Sequence, residues 1–301
     1  MSRGACIRIV EVGPRDGLQN EVAVLPPATR IALIKALAAA GLTSIEAGSF
    51  VSPKLVPQLA DTAQVLAGLV DCTNLRLPVL VPNAQGLAAA IAAGAREIAI
   101  FASASETFSQ HNIRRSIDES LTEYRHVAAD ALAAGIKVRG YVSCVLGCPY
   151  EGKIAPSTVV RVATDLIAMG CAEVSLGDTI GIGTPDIACA LVRDVAAEIG
   201  VGRVALHFHD TYGQALANVL ACLDLGVSTI DAAVAGLGGC PFAPASGGNL
   251  ATEDLVYMLD GLGLPTGIAL DRLISAGEMA CQVLGASSHS RAARALRRHH
   301  V

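Results

Sequence analysis

The amino-acid sequence predicts an α/β protein, a (β/α)8 TIM barrel with a short C-terminal helical extension. Three observations predict it. Eight short β-branched runs alternate with Ala/Leu-rich helical stretches. Several of those stretches end in a glycine suited to a C-cap, at Gly41, Gly94, Gly135, Gly170, Gly200 and Gly226. The chain is 301 residues long and 52% hydrophobic, enough for one barrel-sized core. A doubly wound sheet would more often carry a Gly-rich dinucleotide turn after its first strand, and the run Gly181-Ile182-Gly183-Thr184-Pro185 is no such fingerprint.

The first strand, residues 7–12, is an apolar run that passes directly into the turn Gly13-Pro14-Arg15-Asp16-Gly17-Leu18-Gln19-Asn20, as a buried strand does when it hands the chain to a functional loop. The next strands are residues 44–47, 77–81, 97–101, 137–143, 173–176, 203–208 and 229–235. Helical patterns between them include 28–40, 117–134, 157–169, 185–199 and 214–225. Residues 1–285 are read as a single catalytic barrel and 286–301 as a polar, basic C-terminal tail, its Arg291 to His300 stretch a solvated, frayed end.

Composition excludes several classes. A net charge of −5 and a pI near 5.8 give no electrostatic reason to expect nucleic acid. The mean hydropathy of +0.50 invites a membrane reading, but Lys35, Arg96, Glu97, Asp130 and Asp224 break the apolar runs before they reach the ~20 residues of a span. A strand starting near Ile7 leaves no room for a signal or transit peptide, so a cytoplasmic location is expected. Nine cysteines without a Cys-x-x-Cys pair read as buried small residues in a reducing compartment, with Cys144 and Cys148 a weak zinc pair. A homo-oligomer, dimer or tetramer, is the expected assembly.

The barrel makes a testable geometry of the polar residues. Arg15 and Asp16 follow the first strand, Glu46 ends the second, Asp178 follows the sixth, His207 and His209 end the seventh, and Cys240 lies beyond the eighth. All belong to the C-terminal rim, where barrels of this kind build active sites. His207 and His209, two apart on a strand, point to one face. With Asp16 and Asn249 they make a set of two imidazoles, a carboxylate and an amide that suits Mg2+ or Mn2+, although Zn2+ or Co2+ also fits. The plainer readings are one core and one surface histidine, an Arg15–Asp16 pair that caps a turn, Cys240 as a buried hydrophobe, and Asp178 as a helix N-cap.

Five segments carry a resemblance: the Glu11 to Glu21 turn; Ser143-Cys144-x-Leu146-Gly147-Cys148-Pro149-Tyr150-Glu151-Gly152-Lys153; Ser175-Leu176-Gly177-Asp178-Thr179-Ile180-Gly181; His207-x-His209-Asp210-Thr211-Tyr212-Gly213-Gln214; and Val234-Ala235-Gly236-Leu237-Gly238-Gly239-Cys240-Pro241. From about residue 7 to 285 the chain resembles the 3-hydroxy-3-methylglutaryl-CoA lyases. The Arg-Asp turn and His-x-His are shared with isopropylmalate synthases, homocitrate synthases and aldolases, whereas the cysteine-bearing loop is specific to the lyases. The resemblance implies metal ligation by Asp16, His207, His209 and Asn249. It implies a guanidinium, Arg15, on the thioester oxygen, and a retro-Claisen cleavage to acetyl-CoA and acetoacetate. Cys240 is the expected proton donor, and Asp178 or His207 the acceptor of the C3 hydroxyl proton. Glu46 and Tyr141 are expected to orient Arg15 and the substrate, with Gln19 and Thr179 also contacting it.

One departure bears on specificity. The family usually has Gly-Ala-Ser-Gly-Asn where this chain has Ala245-Ser246-Gly247-Gly248-Asn249, so the acyl group is less fixed than the chemistry. The last cysteine is Cys281, which removes the C-terminal thiol some members carry. The alternatives are a lyase for another 3-hydroxy-3-substituted acyl-CoA, such as a longer-branched homologue or citramalyl-CoA, and an inactive barrel that binds CoA esters.

Overall fold

Each buried parallel strand of this chain must find hydrogen bonds on both sides, and the computed structural model, which describes residues 7–240 and 243–297, shows how it does so. The strands are β1 (Arg8–Glu11), β2 (Ser44–Ile45), β3 (Gly48–Ser49), β4 (Val79–Leu80), β5 (Glu97–Ser103), β6 (Lys137–Ser143), β7 (Val174–Asp178), β8 (Val204–Phe208) and β9 (Thr229–Ala232). All neighbours are parallel in the order β2-β1-β9-β8-β7-β6-β5-β4-β3.

The two ends of that order are halves of one extended segment. Glu46 N donates to Glu11 O on the β1 side, while Ala47 N donates to Pro78 O and Phe50 N to Leu80 O on the β4 side. The sheet therefore closes on itself as an eight-stranded barrel, with the second strand divided at Glu46 and Ala47.

Helices cover the outside: α1 (Pro27–Ala39), α2 (Thr62–Ala67), α3 (Ala84–Ala92), α4 (Glu106–Ile113), α5 (Ile117–Ala133), α6 (Pro156–Ala168), α7 (Pro185–Ile199), α8 (Ala215–Leu223), α9 (Thr252–Gly261), α10 (Leu270–Leu284) and α11 (Arg291–Arg297). Proline opens α1, α6 and α7, where its missing N–H costs nothing. Ser116 and Glu119 form a capping box on α5. Between helices and strands lies one continuous apolar layer that includes Leu33, Ile98, Val127, Val162, Leu176, Val192 and Leu206.

The last predicted strand, 229–235, stops at Ala232. Beyond it the Val234 amide is held by Glu11 Oε1 and the Ala235 amide by Glu253, which folds residues 234–236 into a tight turn with Ala235 left-handed (φ 58). The C-terminal stretch is also corrected. Residues 291–297 are not frayed: they form α11, fixed where Asp254 accepts the Ser290 hydroxyl and the amides of Arg291 and Ala292, and where Arg291 pairs with Asp210. A carboxylate at the start of this short helix satisfies amides that would otherwise face only water.

Candidate active site

The turn after β1 is a single turn of π-helix, Gly13–Gly17, in which the amides of Arg15, Asp16 and Gly17 all converge on Val12 O. It turns Arg15 inward over the barrel mouth and leaves Asp16 beside it. Arg15 Nε donates to Glu46 Oε2 at 2.7 Å and Nη1 to Asp16 Oδ1, while Nη2 bonds no described residue. Burial alone disfavours a charged guanidinium, but Glu46 and Asp16 more than offset this and hold it cationic.

Glu46 is fully buried and clamps a second group, because the Tyr141 hydroxyl donates to its Oε1 at 2.8 Å. That hydroxyl also accepts from Arg139, so it is used in both directions and Tyr141 presents its ring to the cavity instead, 5.5 Å beneath the Arg15 guanidinium. Gln19 and Thr179 line the same cavity of about 790 Å³. Gln19 Oε1 is buried without a partner among the described residues, and Thr179 Oγ1 accepts the Cys144 amide at 2.8 Å.

On β8 the two histidines project together as expected, with ring centroids 5.5 Å apart. Ligand atoms of Asp16, His207 and His209 all lie within 4.8 Å of one another. Burial favours the protonated Asp16 carboxyl, but Arg15 and the two imidazoles hold it at about 2. Burial, and then His207, push His209 down to about 4, so its imidazole is neutral, and its Nδ1 is buried without a partner among the described residues. A carboxylate and two adjacent imidazoles, one with an unsatisfied ring nitrogen, fit a divalent cation.

Asn249 reaches this cluster through an antiparallel bridge with His209. Its amide nitrogen, not its oxygen, faces Asp16 Oδ2 at 2.8 Å and also bonds Leu237 O, so ligation by Asn249 requires its amide to rotate. Gly238 (φ +103) permits this approach, since a Cβ there would lie 2.6 Å from that nitrogen.

Asp178 is corrected. Gly177 pairs with His207 and Asp178 with Phe208, so the Asp178 side chain lies on the helix-facing side of β7, opposite the imidazoles. Its Oδ2 accepts the Gly183 amide at 2.8 Å, and burial raises its pKa despite amides of the 181–183 loop. It holds the loop after β7 and does not line the cavity, which removes it as acceptor of a substrate proton. The reading of Asp178 as a cap for neighbouring amides is the nearer one. The backbone of Gly239–Cys240 pairs antiparallel with Ala243–Gly247, while the Cys240 side chain and those of the altered 245–247 segment lie outside the described residues.

Sequence reasoning missed the layer beneath the site. Asp231 on β9 accepts Arg139 Nη2 at 2.6 Å and the Ser175 hydroxyl at 2.8 Å, and it meets His207 Nδ1 at 3.3 Å. Burial would lower His207, but the Asp231 hydrogen bond and the Asp16 charge raise it. A carboxylate on the far nitrogen of an imidazole fixes its tautomer and ring orientation. The available signal was the placing of Arg139, Tyr141 and Ser143 at alternate positions of one strand, with Asp231 inside another otherwise apolar run.

A closed barrel whose rim gathers a carboxylate, two imidazoles and a clamped guanidinium defines an enzyme of the (β/α)8 class with a candidate metal site. The HMGL-like family model matches residues 6–280, and the chain belongs to that family; it is a lyase. Hydroxymethylglutaryl-CoA lyase of Bos taurus, named mitochondrial, is 56% identical over 96% of this chain and 89% of its own length. The 3-hydroxy-3-methylglutaryl-CoA lyase of Danio rerio, named cytoplasmic, is 54% identical over 97% and 87%. The crystal structure of hydroxymethylglutaryl-CoA lyase from Pseudomonas aeruginosa is 51% identical, with a TM-score of 0.97 over 99% of this chain and all of that one.

Proposed function

We propose that this chain cleaves 3-hydroxy-3-methylglutaryl-CoA to acetyl-CoA and acetoacetate. The observation that carries the reading is the pairing of Arg15 with Asp16 of the Asp16–His207–His209 cluster on the wall of one cavity, in a chain about half identical to lyases of that name over nearly its full length. A divalent ion at that cluster, Mg2+ or Mn2+, supplies the Lewis acidity that lowers the pKa of the C3 hydroxyl.

The side chains divide the remaining work. Asp16 and the imidazoles of His207 and His209 would hold the ion, and Asn249 would complete the set with its amide oxygen. Asp231 already occupies His207 Nδ1, which leaves Nε2 the one lone pair on that ring, and that lone pair would not serve as a base while it held a metal. The C3 hydroxyl gives up its proton to solvent in the open cavity, the C2–C3 bond breaks, C3 becomes the ketone carbonyl of acetoacetate, and the electron pair of the broken bond passes to the thioester enolate. Arg15, held by Glu46 and with Nη2 bonded to no described residue, meets the negative charge on the thioester oxygen. Cys240, on the loop after the last strand, then protonates C2. Gln19 offers an unsatisfied acceptor to the substrate and Thr179 lines its path.

A cytoplasmic setting is proposed with this reading, supported by the free thiols of the described cysteines and by the Danio rerio relative. The test is purified protein with Mg2+ or Mn2+ and a panel of 3-hydroxyacyl-CoA thioesters, read as acetyl-CoA release. Release is expected with the 3-methylglutaryl substrate; preference for a longer-branched or citramalyl thioester overturns the assignment of the acyl group, and no release from any overturns the reaction.

A further inference from the structure

At the height of the site the barrel interior is largely charged, with Arg15, Asp16, Glu46, Arg139 and Asp231 in contact through ion pairs and His207. One wall is not. Leu80, Ala99 and Tyr141, with Phe101 against them, form an apolar cluster separate from the main layer between strands and helices. Strand register puts them on one face: Leu80 pairs with Ala99 across β4 and β5, and Phe101, two residues further on, pairs with Tyr141 across β5 and β6. Leu80, Phe101 and Tyr141 all line the substrate cavity. An apolar surface turned to a cavity gains free energy only from an apolar group that displaces water from it.

The wall is braced from behind. The Tyr141 hydroxyl is held by both Glu46 and Arg139, and the Phe101 ring rests against the Tyr124 ring with centroids 6.0 Å apart. Tyr141 also stands between the two groups assigned to the substrate. Its ring centroid is 5.5 Å from the Arg15 guanidinium and 5.9 Å from the His207 ring, which meets it edge-on.

The strand between them, β7, contributes Gly177 at this point, paired with His207. A Cβ there would lie 3.1 Å from Val142 O and 3.9 Å from His207 Cδ2. Without one, no side chain of β7 fills the space beside the Tyr141 ring.

Elimination then decides which part of the substrate meets this wall. C3 of the proposed substrate carries four groups. Its hydroxyl and its carboxylate arm are polar and belong with the cation-binding cluster, and C2 leads to the thioester at Arg15. The methyl group gains nothing from charge and is stabilised only where an apolar surface receives it.

We propose that Leu80, Phe101 and the ring of Tyr141 form the pocket for the alkyl substituent on C3 and set the size of the acyl group that the protein accepts. The inference rests on the reading of the chain as a 3-hydroxyacyl-CoA lyase. It places the choice of acyl group in the barrel wall, on residues that touch neither the cation nor the thioester.

The experiment uses three CoA thioesters that differ only at C3, with hydrogen (3-hydroxyglutaryl), methyl or ethyl as the substituent, and reads kcat/KM for each. One methylene too many in a rigid pocket should cost wild type about 10-fold or more on the ethyl thioester. Leu80→Ala and Phe101→Leu enlarge the pocket and should raise the ethyl-to-methyl ratio about 10-fold. Leu80→Phe fills it and should raise the hydrogen-to-methyl ratio by a similar factor. Mn2+ affinity should stay at the wild-type value in all three variants. A partly unfolded preparation lowers kcat/KM equally for all three thioesters and leaves the ratios untouched, so lost folding does not mimit the result. Unchanged ratios in all three variants overturn the pocket while the reaction stands. Failure of wild type to cleave any of the three thioesters overturns the reaction itself.

Discussion

Asp231→Asn tests whether the charge layer beneath the site both stabilises the barrel and orients the metal-facing imidazole. Asp231 is 2% exposed and accepts from Arg139 through both oxygens, from Ser175, and from His207. Asparagine has a single acceptor oxygen and no charge. If that oxygen faces His207 and Ser175, the new NH2 points at Arg139 Nη2; if it faces Nη2, the NH2 meets the His207 N–H. Either way two donors collide in a dry interior. Breaking a buried ion pair on one side costs about 3–5 kcal/mol, which for a chain of this size lowers Tm by about 5–8 °C. Loss of the carboxylate behind a ligating imidazole weakens metal affinity about 10–100-fold. Thermal unfolding of the metal-free protein and Mn2+ titration by electron paramagnetic resonance read the two effects separately. Ser175→Ala, which removes one donor and keeps the charge, should leave Mn2+ affinity unchanged. A lowered Tm with wild-type Mn2+ affinity would show that Asp231 only balances Arg139, and would refute its role in orienting His207.

Arg15→Lys keeps the charge but not the planar fork that Glu46 and Asp16 clamp, and should cut kcat about 10^3-fold with a smaller change in KM; a large KM rise at normal kcat contradicts its action on the transition state. Glu253 should make stability fall as pH rises. Burial first, then the Glu11 and Asp254 charges, raise its pKa from 4.5 to about 8, so between those values the folded state keeps a proton that the unfolded state releases. Tm should therefore drop from pH 5 to pH 8.5, and Glu253→Gln should flatten the drop; an unchanged slope contradicts the assignment.

The barrel was legible because parallel strands buried on both faces must be apolar, and runs such as 137–143 and 203–208 coincide with β6 and β8 almost residue for residue. Short helices were less so. α2, α3 and α4 have 6, 9 and 8 residues and too few turns to set up a clear period, and they gain their stability from packing on the barrel. The frayed tail was misread because its arginines look solvated in isolation, while Asp210 and Asp254, which hold Arg291 and its neighbours, lie far away in sequence.

At the site, residue types were legible and strand faces were not. Asp178 and His207 both stand near strand ends, and only the register of β7 against β8 shows that they point to opposite sides. Arg139 and Asp231 sat inside apolar runs, where a lone charge gives no hint of a partner 92 residues away.

That hidden layer explains why the visible residues sit as they do. Through contacts, Arg8, Glu173, Arg139, Asp231, His207, Asp16, Arg15 and Glu46 form one chain across the barrel, in which three guanidiniums meet four carboxylates. With neutral imidazoles the chain carries one excess negative charge in a low-dielectric interior, a setting that attracts a cation. One divalent ion held there would turn that excess into one positive charge, beside an Arg15 that cannot move without breaking its bonds to Glu46 and Asp16. An anionic substrate, and above all an enolate oxygen forming at Arg15, then meets a field fixed before it arrives, which is the condition under which electrostatic stabilisation acts on the reaction step and not merely on binding.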